Sequence, residues 1–335
     1  MKRVNFILVF VLSILLATSV IAQELKPVTL TWVAGGVGGG WYAQAGAIAS
    51  LINQKEPKIS IKVVPGGGVV NPVQVSSGDA DLGWGITFVD KMALLGVPPL
   101  YEKPNPKVRS LGGYFGYYHI HFVASADKGI TTVEELANMI KAGKSVRIAI
   151  PMKGTSDLPI VERILKFYGV TLDQIKKAGG EYFHATYADM ISLYKDRHVD
   201  FVCTHLSLPA AAVTEMFISR KSVLLPVSNE CIDAISKELG TVPRSSGLCV
   251  IPAGTYQGQD NDVAAVVTAG ELLINADVPE IVAYTITKIL CENVQELWNV
   301  HPANKTFVPE NGPKNVAVPL HPGAERYYRE AGYLK

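Results

Sequence analysis

The sequence predicts an α/β protein of two lobes, each a mostly parallel sheet covered by helices, with a ligand cleft at the hinge between them. Three observations lead there. Short β-branched runs alternate with longer helical segments, the pattern of parallel strands joined by helical crossovers. The same plan occurs twice, from Val28 to Asp81 and from Val146 to Asp200, over spans of 53 and 54 residues. The chain of 335 residues is also too long for one ordinary core and suits two of about 150 each.

The elements follow in order. Lys2 and Arg3 precede a run over 4–22 that is apolar or small apart from Asn5, ends Val20-Ile21-Ala22 and leads into polar sequence. This is the pattern of a secretory signal peptide over 1–22, cleaved after Ala22. An uncleaved anchor is the competing reading, because the run approaches membrane-spanning length. Either places the rest of the chain outside the cytoplasm. A strand is expected at 28–33, a glycine loop at 35–40, a helix at 41–54, a strand at 59–64, a turn at 65–68, a short helix at 70–77 and a strand at 81–85. The second copy reads as strand 146–150, loop 151–156, helix 157–168, strand 181–184, helix 187–195 and strand 200–204. Identity between the copies is low, so the echo is structural. Residues 119–125 read as a strand crossing between lobes and 246–252 as the return. The first lobe is therefore discontinuous, 23–124 plus 246–335, and the second is 125–245. One long helix, 279–298, is expected to pack back on the first lobe.

Composition narrows the function. Without Lys2 and Arg3 the chain has 29 basic against 30 acidic side chains and no basic block, which argues against a nucleic-acid partner. No second run of about 18 apolar residues follows the first. Cys203, Cys231, Cys249 and Cys291 lie in the C-terminal half without CxxC spacing, so a zinc or thioredoxin-type site has no support. An oxidising compartment permits disulfides, and four small buried hydrophobes are the equal alternative.

The most informative local feature is Gly35-Gly-Val-Gly-Gly-Gly40 followed by Trp41-Tyr42. Glycines let backbone N–H groups converge on an acceptor, and the helix that follows points its N-terminus at the same place. Pro65-Gly-Gly-Gly68, with Asn71 at the next helix start, repeats the device. Lys153-Gly-Thr-Ser-Asp157 is its counterpart in the second lobe, with the hydroxyls of Thr155 and Ser156 added. One such loop reads as a plain turn; three at equivalent places read as an anion site.

Other chemistries fit less well. Gly38-x-Gly40-x-x-Ala43 meets a loosened dinucleotide fingerprint, yet the strand after it ends Val63-Val64-Pro65-Gly66 without the ribose-binding acid. There is no Gly-x-Ser-x-Gly elbow or His-Glu-x-x-His helix. Asp157 or His184 could serve as a base in an exported enzyme, but no acid–base or nucleophile–base pair is evident. His119 and His121 alternate on a strand, which suits a metal or, more simply, packing against Tyr117 and Tyr118. Asp79, Asp81 and Asp200 read as turn caps. Trp41, Tyr42 and Trp84 read as core or cleft wall. No cofactor and no metal are expected.

The run Pro319-Leu-His-Pro-Gly-Ala-Glu-Arg-Tyr-Tyr-Arg-Glu330 closely resembles the C-terminal signature of the TAXI family of TRAP transporter solute-binding proteins. Pro252-Ala-Gly-Thr-Tyr-Gln-Gly-Gln-Asp260 resembles a second family motif, and the glycine loop before Trp41-Tyr42 a third. Asn71, Ala93 and Gly96 also fall at family positions. The resemblance implies a type II periplasmic binding protein (Venus-flytrap) fold in the periplasm, without catalysis or cofactor. It implies a TRAP permease as membrane partner and a small carboxylate as ligand, of the glutamate or 2-oxoglutarate kind. One ligand per monomeric chain is expected. A sensor domain presenting ligand to a separate receptor is a third reading beside receptor and enzyme. Ligand-binding residues implied are Gly38, Gly39, Gly40, Trp41, Tyr42, Gly67, Gly68, Val69, Asn71, Thr87, Gly154, Thr155 and Ser156, with Trp84 and Asp157 beside them. Two departures stand out. Ile86-Thr87-Phe88 replaces a polar run resembling Gln-Ser-Asp, and Lys153-Gly-Thr-Ser-Asp157 replaces a Gly-Ser-Gly-Thr loop. The first swap removes a carboxylate that could hold an ammonium group and adds apolar surface. The ligand expected is a carboxylate with hydrophobic character and no amino group.

Overall fold

The computed structural model describes residues 24–37 and 39–335, so the expected signal segment lies outside the described residues. Among those described, no helix is long and apolar enough to cross a membrane. The first half opens with β1 (Val28–Val33), then α1 (Gly40–Lys55), β2 (Ile59–Val64), α2 (Asn71–Ser77), β3 (Leu82–Ile86) and α3 (Thr87–Leu95). In β2, Ile59 and Ile61 are buried while Ser60 and Lys62 face solvent, the alternation of a strand covered on one face. β3 is buried throughout, as a strand covered on both faces should be. Helix α1 lays Ala45, Ile48, Ala49 and Ile52 onto a core that includes Trp32 and Trp84.

After β4 (Val108–Ser125) and α4 (Val133–Lys141) comes the second copy: β5 (Arg147–Pro151), α5 (Asp157–Phe167), α6 (Leu172–Lys177), β6 (Glu181–Ala185), α7 (Tyr187–Lys195) and β7 (Phe201–Leu206). Strand order runs β2-β1-β3 in the first half and β6-β5-β7 in the second, with the first strand of each between the other two. The repeat expected from the sequence is thus a repeat of topology.

The link between halves departs from expectation. Helix α8 (Ala211–Ser219), β8 (Ser222–Leu224) and α9 (Asn229–Leu239) lead to 246–252, where only β9 (Val250–Ile251) forms, paired with β10 (Val263–Ala264) in a separate ribbon. The strand that returns to the first half is β11 (Val267–Asn275), antiparallel to both β3 and β4. With β4, which is 18 residues long, it joins both halves into one nine-stranded sheet. The expected helix over 279–298 is two, α10 (Glu280–Glu292) and α11 (Val294–Val300). Asn293 ends the first by turning its side-chain Nδ2 back to the Ile289 carbonyl, 2.8 Å away.

The C-terminal signature forms α12 (Pro322–Glu330) and is a clasp. Tyr328 is buried and donates to the Leu111 carbonyl at 2.8 Å, and Arg326 pairs with Glu280 on α10 at 2.5 Å. In the 252–260 motif, Gln259 Nε2 donates to the carbonyls of Ile251, Pro252 and Asn261, which fixes the turn. These motifs hold the fold together and stand apart from the cleft.

All four cysteines are free and buried. Burial pushes the thiols of Cys231 and Cys291 up to about 12 and that of Cys249 to about 11. The native protein is expected to show no thiol reactive to an aromatic disulfide reagent at pH 8, and four after unfolding in guanidinium. Fewer than four on unfolding would reveal a bridge.

Candidate ligand cleft

The two halves face each other across a cavity of about 500 Å³. Its walls come from the starts of three helices. Gly35, Gly36 and Gly39 to Trp41 lead into α1, Pro151 to Asp157 into α5, and Ala185 to Ala188 into α7. Helix starts leave N–H groups unpaired and carry partial positive charge, so the cavity favours an anion. The three starts are unequal. Asp157 occupies the first turn of α5 and Asp189 that of α7, where Thr186 caps the Asp189 N–H. The first turn of α1 has no acidic residue and no side-chain cap. Of the three, α1 has the most unspent capacity for an external anion.

The loop Gly66–Gly68 lines the cavity and is braced from behind. Gly67 N–H donates to Asn71 Oδ1 at 2.8 Å, while Asn71 Nδ2 donates to the carbonyls of Ala34 at 2.7 Å and Trp84 at 2.8 Å. Asn71, fully buried, therefore holds the loop and does not face the cavity. So held, the loop meets the second half directly: Val69 N–H donates to the Gly154 carbonyl at 3.1 Å. A Cβ on Gly67 would lie 2.8 Å from that carbonyl oxygen, and one on Gly68 would lie 2.5 Å from Ser156 Oγ. Glycine is required there for two backbones to approach.

One side wall is aromatic. Trp41 and Tyr118 meet edge to face at 5.6 Å, and Trp41 continues through Trp84 at 6.2 Å to Phe115 at a further 5.6 Å. Trp84 Nε1 donates to the Trp41 carbonyl at 3.0 Å, which locks the first turn of α1. The Tyr118 hydroxyl donates to the Phe115 carbonyl, so the ring presents an apolar face.

Next to this wall lies a polar cluster, with the His205 ring edge to face with Tyr118 at 5.9 Å. Tyr187 donates its hydroxyl hydrogen to Asp157 Oδ2, His205 Nδ1 lies 3.1 Å from Asp157 Oδ1, and His205 Nε2 lies 2.7 Å from Thr268 Oγ1. Burial and the neighbouring Asp157 charge push the Tyr187 hydroxyl well above its ordinary range, so it remains a donor. Both nitrogens of His205 are committed, one to Asp157 and one to Thr268 in the sheet. The pair that sequence reasoning missed therefore orients Asp157. His184, the other candidate base, turns Nδ1 to the Pro151 carbonyl at 2.8 Å.

Among the residues named from sequence, the cavity brings together Gly39, Gly40, Trp41, Gly67, Gly68, Gly154, Thr155, Ser156 and Asp157. Gly38 lies outside the described residues. Tyr42 packs against the first-half core, Val69 contributes its backbone to the inter-half contact, and Trp84 is wholly buried. Thr87 is the first residue of α3 and sits between Ile86 and Phe88 in the core, so the 86–88 departure lies off the cavity. The 153–157 departure lies on it. Residues that sequence reasoning missed include Gln44, Tyr118, Tyr187, His205 and His301.

The His119 and His121 rings are committed elsewhere. His119 Nε2 bonds the Leu248 carbonyl at 3.2 Å, and His121 bridges the His119 carbonyl at 2.9 Å and the Tyr256 hydroxyl at 2.8 Å. The ring packed edge to face against His121 is that of Tyr256, at 5.7 Å, where the sequence suggested packing against Tyr117 and Tyr118. Burial lowers the two imidazoles to about 4 and about 3, so both are neutral at physiological pH. Among the described residues, no group of three histidine, cysteine or acidic side chains could hold a metal ion. Asp200 binds Arg147 at 2.9 Å and Arg220 at 3.2 Å at the base of the second half, a structural role.

Solved structures share this architecture. The periplasmic binding protein BugD superposes with a TM-score of 0.53 at 15% identity, covering 93% of this chain and 99% of BugD. MatC from Rhodopseudomonas palustris, solved with bound malate, gives 0.52 at 16% identity over 92% of this chain and 100% of MatC. PhnD1 from Prochlorococcus marinus, solved with methylphosphonate, gives 0.50 at 10% identity over 93% and 100%. At such identities the likeness establishes the fold: the two-lobed α/β architecture of periplasmic binding proteins. A family model described as NMT1-like matches residues 33–332, nearly the whole of the described chain, and the protein belongs to the NMT1-like family.

Proposed function

We propose that this protein is an extracytoplasmic solute receptor of the TAXI type, which closes on one small carboxylate per chain and presents it to a TRAP-type permease. The observation that carries the reading is the cavity itself, roofed where Val69 N–H meets the Gly154 carbonyl and floored by the uncapped start of α1. Contact between halves across a ligand space is what a closing receptor needs, because a ligand stabilises the closed form only by touching both sides. The first lobe is 23–124 with 246–335, and the second is 125–245. Strands β4 and β11 serve as the hinge, and β11 takes the place of 246–252. The receptor acts as a monomer in the periplasm and needs neither cofactor nor nucleic acid.

The ligand has an apolar body. A volume of about 500 Å³ lies within the range of small-molecule sites and is roomier than a five-carbon dicarboxylate requires. Val37, Val70 and Met152 line the cavity while remaining 74%, 40% and 43% exposed. Apolar surface of this kind gains when an apolar ligand covers it.

A thermal-shift screen of the mature chain, refolded to strip carried-over ligand, tests this against small carboxylates and amino acids. A binder at 100 times its Kd adds about 2.7 kcal/mol, a rise of several degrees. A rise confined to one acid class is expected; no rise with any acid, from a folded protein, would defeat the receptor reading.

A further inference from the structure

At the α1 end of the cavity, hydrogen-bond donors stand beside one orphan acceptor. The N–H groups of Gly40 and Trp41 have no acceptor among the described residues, since the first helical bonds are made by Tyr42 and Ala43 to the Gly39 carbonyl. His301 lines the same end, with Nε2 3.7 Å from where a Gly40 Cβ would stand. Its Nδ1 accepts the Ala303 N–H at 3.2 Å, so in the neutral ring the proton sits on Nε2, facing Gly40. Burial lowers the His301 imidazole, which keeps that ring neutral.

One turn along α1, Gln44 also lines the cavity and is 1% exposed. Its orientation is fixed by a chain of partners. Asn304 Nδ2 donates to the Leu297 carbonyl at 2.9 Å, so Asn304 turns Oδ1 to Gln44, and Gln44 must answer with Nε2. That leaves Gln44 Oε1 buried with no partner. A buried amide oxygen without a donor is costly, and a ligand hydrogen would relieve the cost.

We propose that this end of the cavity reads a 2-hydroxycarboxylate. The carboxylate accepts from Gly40 N–H, Trp41 N–H and His301 Nε2–H, and the neighbouring hydroxyl donates to Gln44 Oε1. A hydroxyl matches the single acceptor one for one. An ammonium group in its place would bring three donors and leave two of them without a partner on this wall. The proposal rests on the receptor reading and narrows it to a substrate class.

Calorimetry on the full mature chain tests it with matched pairs: 3-phenyllactate against 3-phenylpropionate, 2-hydroxyisocaproate against 4-methylpentanoate, and malate against succinate. In at least one pair the hydroxy acid is expected to bind about tenfold tighter or better, because its deoxy partner leaves Gln44 unpaired. Gln44→Met should bring that ratio near one, and His301→Ala should weaken both members alike. Equal or tighter binding of the deoxy acids would overturn the proposal and leave the receptor reading standing. So would a ratio that survives Gln44→Met, or phenylalanine binding tighter than phenyllactate. Failure of every acid to bind the wild-type protein would remove both. The wild-type ratio is read without any variant, so misfolding of Gln44→Met cannot mask the result.

Discussion

Gly68→Val is expected to weaken binding of the best acid from the screen by about ten- to a hundredfold while leaving the melting temperature of the ligand-free protein within about a degree of wild type. A Cβ at this position would stand 2.5 Å from Ser156 Oγ, 2.6 Å from its Cβ and 3.2 Å from its backbone nitrogen. Those atoms belong to the opposite half, so opening the cleft relieves the clash without disturbing either core. Closing it again costs about 1–3 kcal/mol of overpacking, and every 1.4 kcal/mol is a factor of ten in affinity. Gly46→Ala is the control, because a Cβ there meets nothing within 4 Å. Small-angle scattering should show the variant remaining extended at ligand concentrations that compact the wild type. Unchanged affinity would mean that the two loops need not meet when ligand is bound. A fall of several degrees in the ligand-free melting temperature would make the contact part of the resting fold instead of a closure.

The reach of the sequence can be read from these same residues. Strands β1 and β2 and helix α7 lie where expected, because each is a short periodic run closed by glycine, proline or a cap. The connecting strands were harder. β4 contains Gly112, Gly113 and Gly116, and β11 contains Gly270 and Glu271, residues that argue against a strand when read alone. Their role is tertiary: a Cβ at Gly270 would lie 2.5 Å from the Phe115 carbonyl oxygen, so glycine admits the neighbouring strand. The cleft was legible where it is built from local backbone chemistry, as at Gly39–Trp41 and Gly154–Asp157. It was illegible where side chains arrive from distant elements. Tyr118 and His205 point in from strand faces, and His301 arrives on a loop held by Asn304 and Thr306, with no motif to announce them. Asn71 shows a related limit of the sequence. Polarity at a helix start fits a ligand contact and a loop brace equally well, and only the Ala34 and Trp84 carbonyls decide between them.

Glu271 also explains why the protein should lose stability as the solution becomes alkaline. Asp90 on α3 and Glu271 on β11 are both fully buried and adjacent, and Asp90 has no hydrogen-bond donor on either oxygen. Glu271 accepts the Ala317 N–H at 3.1 Å, whereas the ionisable groups acting on Asp90 are Glu271 and Tyr101. Desolvation, then the Glu271 charge, drives the Asp90 carboxyl well above its ordinary range, and desolvation lifts Glu271 to about 7. Asp90 thus keeps its proton at neutral pH and can donate it to Glu271.

A carboxyl raised in the folded state contributes its full stability below the unfolded value near 4 and loses it as pH climbs toward the folded value. Through that interval the unfolded chain has released a proton that the folded chain retains, a slope of about −1.4 kcal/mol per pH unit per group. Below pH 6.5 the buried histidines, lowered by desolvation, give a slope of opposite sign and obscure this one. Above about 8.5 the buried thiols begin to add to it. Between pH 7 and 8.5, wild-type stability is expected to fall as pH rises, because Asp90, raised by desolvation and by the Glu271 charge, holds a proton that the unfolded chain has released. Asp90→Asn keeps the shape and a donor to Glu271, carries no titratable proton, and should flatten the slope and melt above wild type at pH 8.5. A flat wild-type profile over this interval, or an Asp90→Asn protein with the same slope, would show that the pair does not share a proton in the folded core.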